Sequence, residues 1–204
     1  MEGIATARAL MTNGTICTVQ LLKAPTDDDK AFCRLCALGT IGKDSTKVPD
    51  EKWLHDICKA RHSPIRELRF AFKLVDVPYF VSTHLARHIH AQPYIQSQRN
   101  DRQSKYDRRK APQDAPVTMI WTMNAEELMT VCNKRLCMKA DTDTRACVNA
   151  IRMVSLTQAP YLADLLVPMC VYLGNKCPEM HGCGRWERKN EEVETKEEQN
   201  GPDI

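Results

Sequence analysis

Apolar residues recur along this chain with two different periods, and the switches between them mark out its elements. Thr15-Ile16-Cys17-Thr18-Val19-Gln20-Leu21-Leu22 alternates well enough for a strand, while residues 1–14 before it have no clear period. Asp27-Asp28-Asp29 predicts the opening of a helix through Ala31, Phe32, Leu35 and Cys36, because acidic side chains favour the positive end of the helix dipole. Gly39 and Gly42 end it. A second helix is expected from Pro49 to about Ala60, with Trp53, Leu54, Ile57 and Cys58 inward, and Ser63-Pro64 breaks it. Leu68-Arg69-Phe70-Ala71-Phe72-Lys73-Leu74-Val75 alternates strictly and is the best strand in the chain. Pro78 suits the first turn of the next helix, on which His84, Arg87 and His88 fall at i, i+3 and i+4 and would project from one side.

From Gln92 to Pro116 the chain is polar, basic and punctuated by proline, which reads as a loop crossing a binding surface. Val117-Thr118-Met119-Ile120-Trp121-Thr122-Met123 is a second buried strand, and Asn124 can cap the helix after it. Leu128, Val131, Cys132 and Leu136 form that helix's apolar side, with Arg135 beside them. Another helix, roughly Thr142 to Leu156, and a short one near Tyr161 to Leu166 complete the globular part. Strands and helices intermingle without regular βαβ alternation, so the expected class is α+β. The expected organisation is an N-terminal extension (1–14), one domain (15–184) and a charged tail (185–204) expected to be disordered, with four basic and seven acidic side chains.

At 204 residues and 43% hydrophobic content, the chain is sized for a single enzyme-like domain. It has no apolar run of membrane-spanning length, and Met1-Glu2-Gly3 lacks the start of a signal peptide, so a cytoplasmic protein without a membrane partner is expected. Ten cysteines then read as reduced and mostly buried thiols. The net charge of +3 is too small to argue for nucleic acid, which makes it an unlikely partner on charge alone. Residues 99–110 differ, with six basic against two acidic side chains. No Rossmann fingerprint or P-loop exists, since Gly39-Thr40-Ile41-Gly42 has the wrong spacing. Cys33-Arg34-Leu35-Cys36 lies inside an apolar helical segment with no second pair at zinc-finger spacing. Cys170, Cys177, His181 and Cys183 offer four zinc-type ligands, but six and five residues between the cysteines is not a standard structural-zinc pattern, and no metal is assigned. Guanidinium groups grip phosphate through paired hydrogen bonds, so Arg99, Arg108 and Arg135 would make a nucleotide clamp if folding gathered them.

One set of motifs is more specific. His62-Ser63-Pro64, the strand ending before Pro78, Arg87-His88, Ser97-x-Arg99, Trp121-Thr122-x-Asn124-Ala125 and Arg135 stand in the order found in flavin-dependent thymidylate synthases, the ThyX family, which this chain resembles. The likeness extends to Ala31-Phe32-Cys33-Arg34-Leu35-Cys36 near the start. Near the end it takes in Gly174-x-Lys176-Cys177-Pro178-Glu179 and Cys183-Gly184, so it spans about residues 15–184. The Pro-Cys-His-Gln context of the other thymidylate synthase class is absent.

The resemblance implies a ThyX-like fold, a mixed or antiparallel sheet flanked by helices, and a homotetramer with active sites between subunits. It implies FAD as cofactor, NADPH as reductant and methylenetetrahydrofolate as one-carbon donor for converting dUMP to dTMP. By motif position, Ser63, Arg87, His88 and Asn124 would bind the flavin, and His84, Ser97, Gln98, Arg99, Arg108 and Arg135 the nucleotide. Arg135, Ser97 and Arg99 would carry the chemistry, with cationic donors stabilising developing negative charge in place of a covalent nucleophile. The chain departs from the family pattern at Ile89, where an arginine is usual, at Ile95, often glutamate, and at Glu126, often an arginine on FAD. The connection from Arg99 to Arg108 is also shorter than usual. These differences leave open a related flavin-dependent pyrimidine one-carbon transferase, or a non-catalytic nucleotide or nucleic-acid-binding relative.

Overall fold

The computed structural model describes residues 4–99, 107 and 109–186. Five strands, β1 (Thr6–Leu10), β2 (Ile16–Lys23), β3 (Arg69–Pro78), β4 (Gln92–Ile95) and β5 (Pro116–Asn124), form one sheet in the order β1-β2-β3-β5-β4. Every neighbouring pair is antiparallel. The helices are α1 (Asp27–Gly39), α2 (Glu51–Lys59), α3 (Tyr79–Ala86), α4 (Ala125–Arg135), α5 (Thr142–Leu156) and α6 (Met169–Tyr172), with short 3-10 helices at Ser63–Glu67 and Pro160–Leu162. The class is α+β, as the sequence pattern predicts.

The core follows from alternation in the central strands. Phe70, Phe72 and Leu74 on β3 stand opposite Met123, Trp121 and Met119 on β5, and Phe72 and Leu74 also face Leu21 and Val19 on β2. All are buried, because residues two apart on a strand share a face. Leu85 of α3, Leu128 of α4 and Ile151 of α5, each at 0% exposure, belong to the same cluster. On the other face, one row runs Tyr94, Ile120, Lys73, Gln20 across four strands. Tyr94 and Ile120 in that row are exposed, as are Ile16 and Leu22.

Helix starts are set by side-chain caps. Thr26 and Asp29 form a reciprocal capping box on α1, Asp50 caps α2, and Asp141 caps α5. Asn124 caps α4 by accepting from the Glu127 backbone N–H at 2.9 Å, as its place in the sequence predicts.

Three elements differ from the sequence reading. The stretch expected to be loop from Gln92 begins with β4, an edge strand that tolerates Pro93 because its outer side needs no ladder hydrogen bond. Thr6–Leu10, within the aperiodic first fourteen residues, pairs along its whole length with β2. Finally, α3 stops at Ala86 with Arg87 as its C-cap, and the Ala91 N–H closes a tight turn onto the His88 carbonyl. His84, Arg87 and His88 therefore do not share one helical face. The charged tail expected at 185–204 lies, from residue 187, outside the described residues.

Candidate active site

The turn after α3 aims the His88 ring at α4. Its Nδ1 lies 3.1 Å from Glu127 Oε1, and its Nε2 accepts from the Arg135 Nε at 3.0 Å. An arginine Nε only donates, so Nε2 is the acceptor and the proton sits on Nδ1, toward the carboxylate. The ring also stands edge-on to Trp121, with centroids 6.1 Å apart. Glu127 is 5% exposed, so this is a charged chain buried against the core and satisfied at each step. Arg135 makes a second bond from its NH2 to the His84 carbonyl at 3.0 Å. His84 in turn places Nδ1 3.1 Å from Thr144 Oγ1 and packs edge-on to Phe80.

Burial, with Arg87 as a neighbouring positive charge, holds Arg135 below the ordinary guanidinium value. Guanidinium basicity is high enough that it stays charged. Two cations held close together, one of them fixed by two acceptors, make a local site for negative charge.

Beside this group, Asn124, Glu126, Glu127 and Thr130 of the β5–α4 junction line a cavity of about 480 Å³ with Arg66 and His90. A second cavity of about 350 Å³ shares Asn124 and His90 and adds Lys23, Arg69, Gln92 and Thr122 among its walls. Arg66 Nε reaches Glu126 Oε2 at 2.6 Å, so the guanidinium at this edge comes from the 3-10 helix after Ser63-Pro64. The sequence reading missed Arg66, Lys23, Arg69 and His90. Only folding brings their separate segments to Asn124, although a basic residue soon after Ser63-Pro64 was a faint signal for the first.

The other expected residues fall elsewhere. Ser63 opens onto a different cavity, beside Trp53, Asp56, His62 and Pro64. Ser97, Gln98 and Arg99 follow β4, where Gln96 is pinned to Thr118 by bonds of 2.8 and 2.9 Å. Thr118 is six residues along β5 from Asn124, about 20 Å at the strand rise, so one chain holds these two groups well apart. The Arg99 N–H bonds Ser97 Oγ at 3.2 Å within its own turn. Arg108 lies outside the described residues. Ile89 is 80% exposed and Ile95 half-buried.

Three core thiols are poor nucleophiles. Burial pushes the Cys33, Cys58 and Cys132 thiols up to about 12, which keeps them protonated and unreactive.

The model of a family described as thymidylate synthase complementing protein matches residues 103–161, a stretch that contains β5, α4 and α5. The fold is similar to that of a UMP/dUMP methylase, PolB from Streptomyces cacaoi, solved with 5-Br dUMP. That likeness has a TM-score of 0.58 at 14% identity and covers 73% of this chain and 94% of that one. It is similar also to Thymidylate Synthase X (ThyX) from Helicobacter pylori, solved with FAD and dUMP, with a TM-score of 0.56 at 13% identity and coverage of 72% and 96%. No curated protein sequence matches the chain. The two structural likenesses are likenesses of fold.

Proposed function

We propose, from the premise that this chain is a divergent member of the ThyX family, that it is a flavin-dependent methylase of deoxyuridine nucleotides. It takes dUMP to dTMP with FAD, NADPH and methylenetetrahydrofolate. The observation that carries the reading is Arg135, a half-buried guanidinium fixed by His88 and the His84 carbonyl next to Arg87, at the end of the helix whose first turn lines a polar cleft with Asn124.

The cleft residues fit a flavin dinucleotide. Lys23, Arg66 and Arg69 supply cations for a pyrophosphate, Asn124 and Gln92 supply amide groups, and the two cavities sharing His90 are of a size for such a ligand. The Trp121 Nε1 is buried near His88 with no acceptor among the described residues. FAD, when bound, supplies the redox chemistry that a protein of ordinary side chains lacks. The residues here would bind and orient: Arg87 and His88 would contact the flavin, while Arg135 would polarise the pyrimidine ring and Arg99, with Ser97 and Gln98, would hold the nucleotide. Positive groups preorganised where negative charge develops lower the barrier without a covalent nucleophile.

The separation of about 20 Å along β5 between Asn124 and Thr118, the residue that pins Gln96 just before Ser97, supports an active site assembled from more than one subunit, and the exposed apolar pair Tyr94 and Ile120 supports burial of the outer sheet face in a homotetramer. Ten unlinked cysteines fit the reducing cytoplasm. Among the described residues no helix is long and apolar enough to cross a membrane.

The absorbance spectrum of the purified protein, with and without dUMP, tests the reading. Yellow protein whose flavin bands shift on adding dUMP is the expected result. Colourless protein that cannot be reconstituted with FAD, yet binds DNA with a steep salt dependence, would overturn it in favour of a nucleic-acid-binding relative. A substrate other than dUMP, such as UMP, would keep the chemistry and change the product.

A further inference from the structure

Two arginines of α5 are held by backbone carbonyls from different parts of the chain. Arg145 donates from NH1 to the Met138 and Ala140 carbonyls at 3.2 and 3.3 Å, ahead of the helix. Arg152 donates from Nε to the Leu166 carbonyl at 2.8 Å and from NH2 to that of Ala163 at 3.4 Å, beyond it. Both are half-buried, and both line one cavity of about 480 Å³, with Asn149 between them on the helix and Leu136, Leu166 and Val167 among the apolar walls. This cavity shares no lining residue with the two that meet at Asn124. We infer that it binds a small elongated organic dianion, a dicarboxylate with an apolar body, one carboxylate on each guanidinium.

The charge is uncompensated where the cavity lies. No acidic side chain lines it, and neither guanidinium is in an ion pair among the described residues. A carbonyl carries only a partial charge, so these bonds fix the direction of each cation without neutralising it. They use two of the five N–H donors of each guanidinium and leave the others for a paired contact with a carboxylate. Donors oriented before the ligand arrives lower the ordering cost of binding.

Shape selects the ligand's length. Seven residues of helix set the Arg145 and Arg152 Cα atoms about 10 Å apart along the axis. Their heads are anchored on separate segments, so they cannot swing together onto one compact ion without giving up those bonds. Two anionic ends with an apolar middle match this layout, and the volume is that of a small-molecule site. No movement of the chain is required, and the site does not depend on the function proposed above.

Calorimetric titration of the full-length protein with azelate, a straight-chain dicarboxylate that spans the two arginines when extended, tests the site against nonanoate, which lacks the second carboxylate, and inorganic phosphate. Azelate should bind once per chain, at least about tenfold more tightly than either, and equally well with dUMP present. Arg145→Gln and Arg152→Gln should each weaken azelate by more than about tenfold while leaving flavin retention and dUMP affinity unchanged. No azelate binding to the wild-type protein up to about 10 mM would overturn the site, whatever the variants do. Nonanoate binding as tightly as azelate would remove the second arginine from it, and phosphate binding more tightly would overturn the elongated ligand. Competition between azelate and dUMP would place the binding elsewhere and overturn the assignment to this cavity.

Discussion

His88 Nε2 accepts a hydrogen bond from Arg135 Nε at 3.0 Å, so the orientation of the guanidinium depends on an imidazole whose other nitrogen is held by Glu127 at 3.1 Å. Removing the middle of this chain is costly on both sides. His88→Ala should leave the carboxylate of Glu127 buried without its partner and lower unfolding free energy by about 1–3 kcal/mol, measured by denaturant titration. Glu127→Gln keeps an acceptor oxygen for Nδ1–H and should cost clearly less. Equal losses in the two variants would show that the negative charge of Glu127, and not merely an acceptor oxygen for Nδ1–H, holds the chain together.

Arg99 is exposed and sits in a turn closed by its own N–H on Ser97 Oγ. Its side chain can therefore be truncated without opening the core. Arg99→Ala should weaken dUMP binding by about 1.5–3 kcal/mol, the scale of a hydrogen bond to a charged group, with the melting temperature unchanged. Calorimetric titration showing wild-type dUMP affinity would remove Arg99 from the nucleotide site.

How much of this was legible beforehand depends on whether the information is local. The strands around Phe70-Ala71-Phe72 and Met119-Ile120-Trp121 announce themselves by alternation, and Asn124 by its place ahead of an apolar periodic run, because pleat and cap are decided within a few residues. The apolar pattern carries the helix of His84 on through His88, two residues past its end at Ala86. Beyond that end His88 is held by Glu127, 39 residues away, a contact no local pattern encodes. β4 was missed for a similar reason: four residues containing a proline form a strand only because β5 offers its edge. At the site, Arg135 was legible as a residue but its partners were not. Glu126 read as a lost flavin contact until Arg66, sixty positions earlier, was seen bonded to it.

Ile89 is 80% exposed in the turn between His88 and Ala91, an uncommon setting for a large apolar side chain beside a cationic cleft. Replacing it perturbs no core contact. Ile89→Arg should add a donor toward an anionic cofactor and tighten FAD binding by about tenfold, read from flavin loss on dialysis or by fluorescence titration. Unchanged retention would mean that this turn faces away from the flavin.

His55 on α2 provides a pH-dependent test away from the cleft. Hydrogen bonds donated to Asp164 and then Asp56 raise it above its ordinary value, with ring nitrogens 3.1 to 3.2 Å from the carboxylates. A histidine whose folded-state value lies above its unfolded one contributes stability that is complete below the unfolded value, about 6.5, and vanishes as pH rises through the folded one. The pair is largely solvent-exposed, so screening keeps the contribution under about 1 kcal/mol. His55→Gln should therefore lower thermal stability below about pH 6 and converge on the wild type as pH rises past the raised folded-state value. A deficit that stays constant across this range would assign the role of His55 to packing between α2 and the Asp164 segment instead of to its charge.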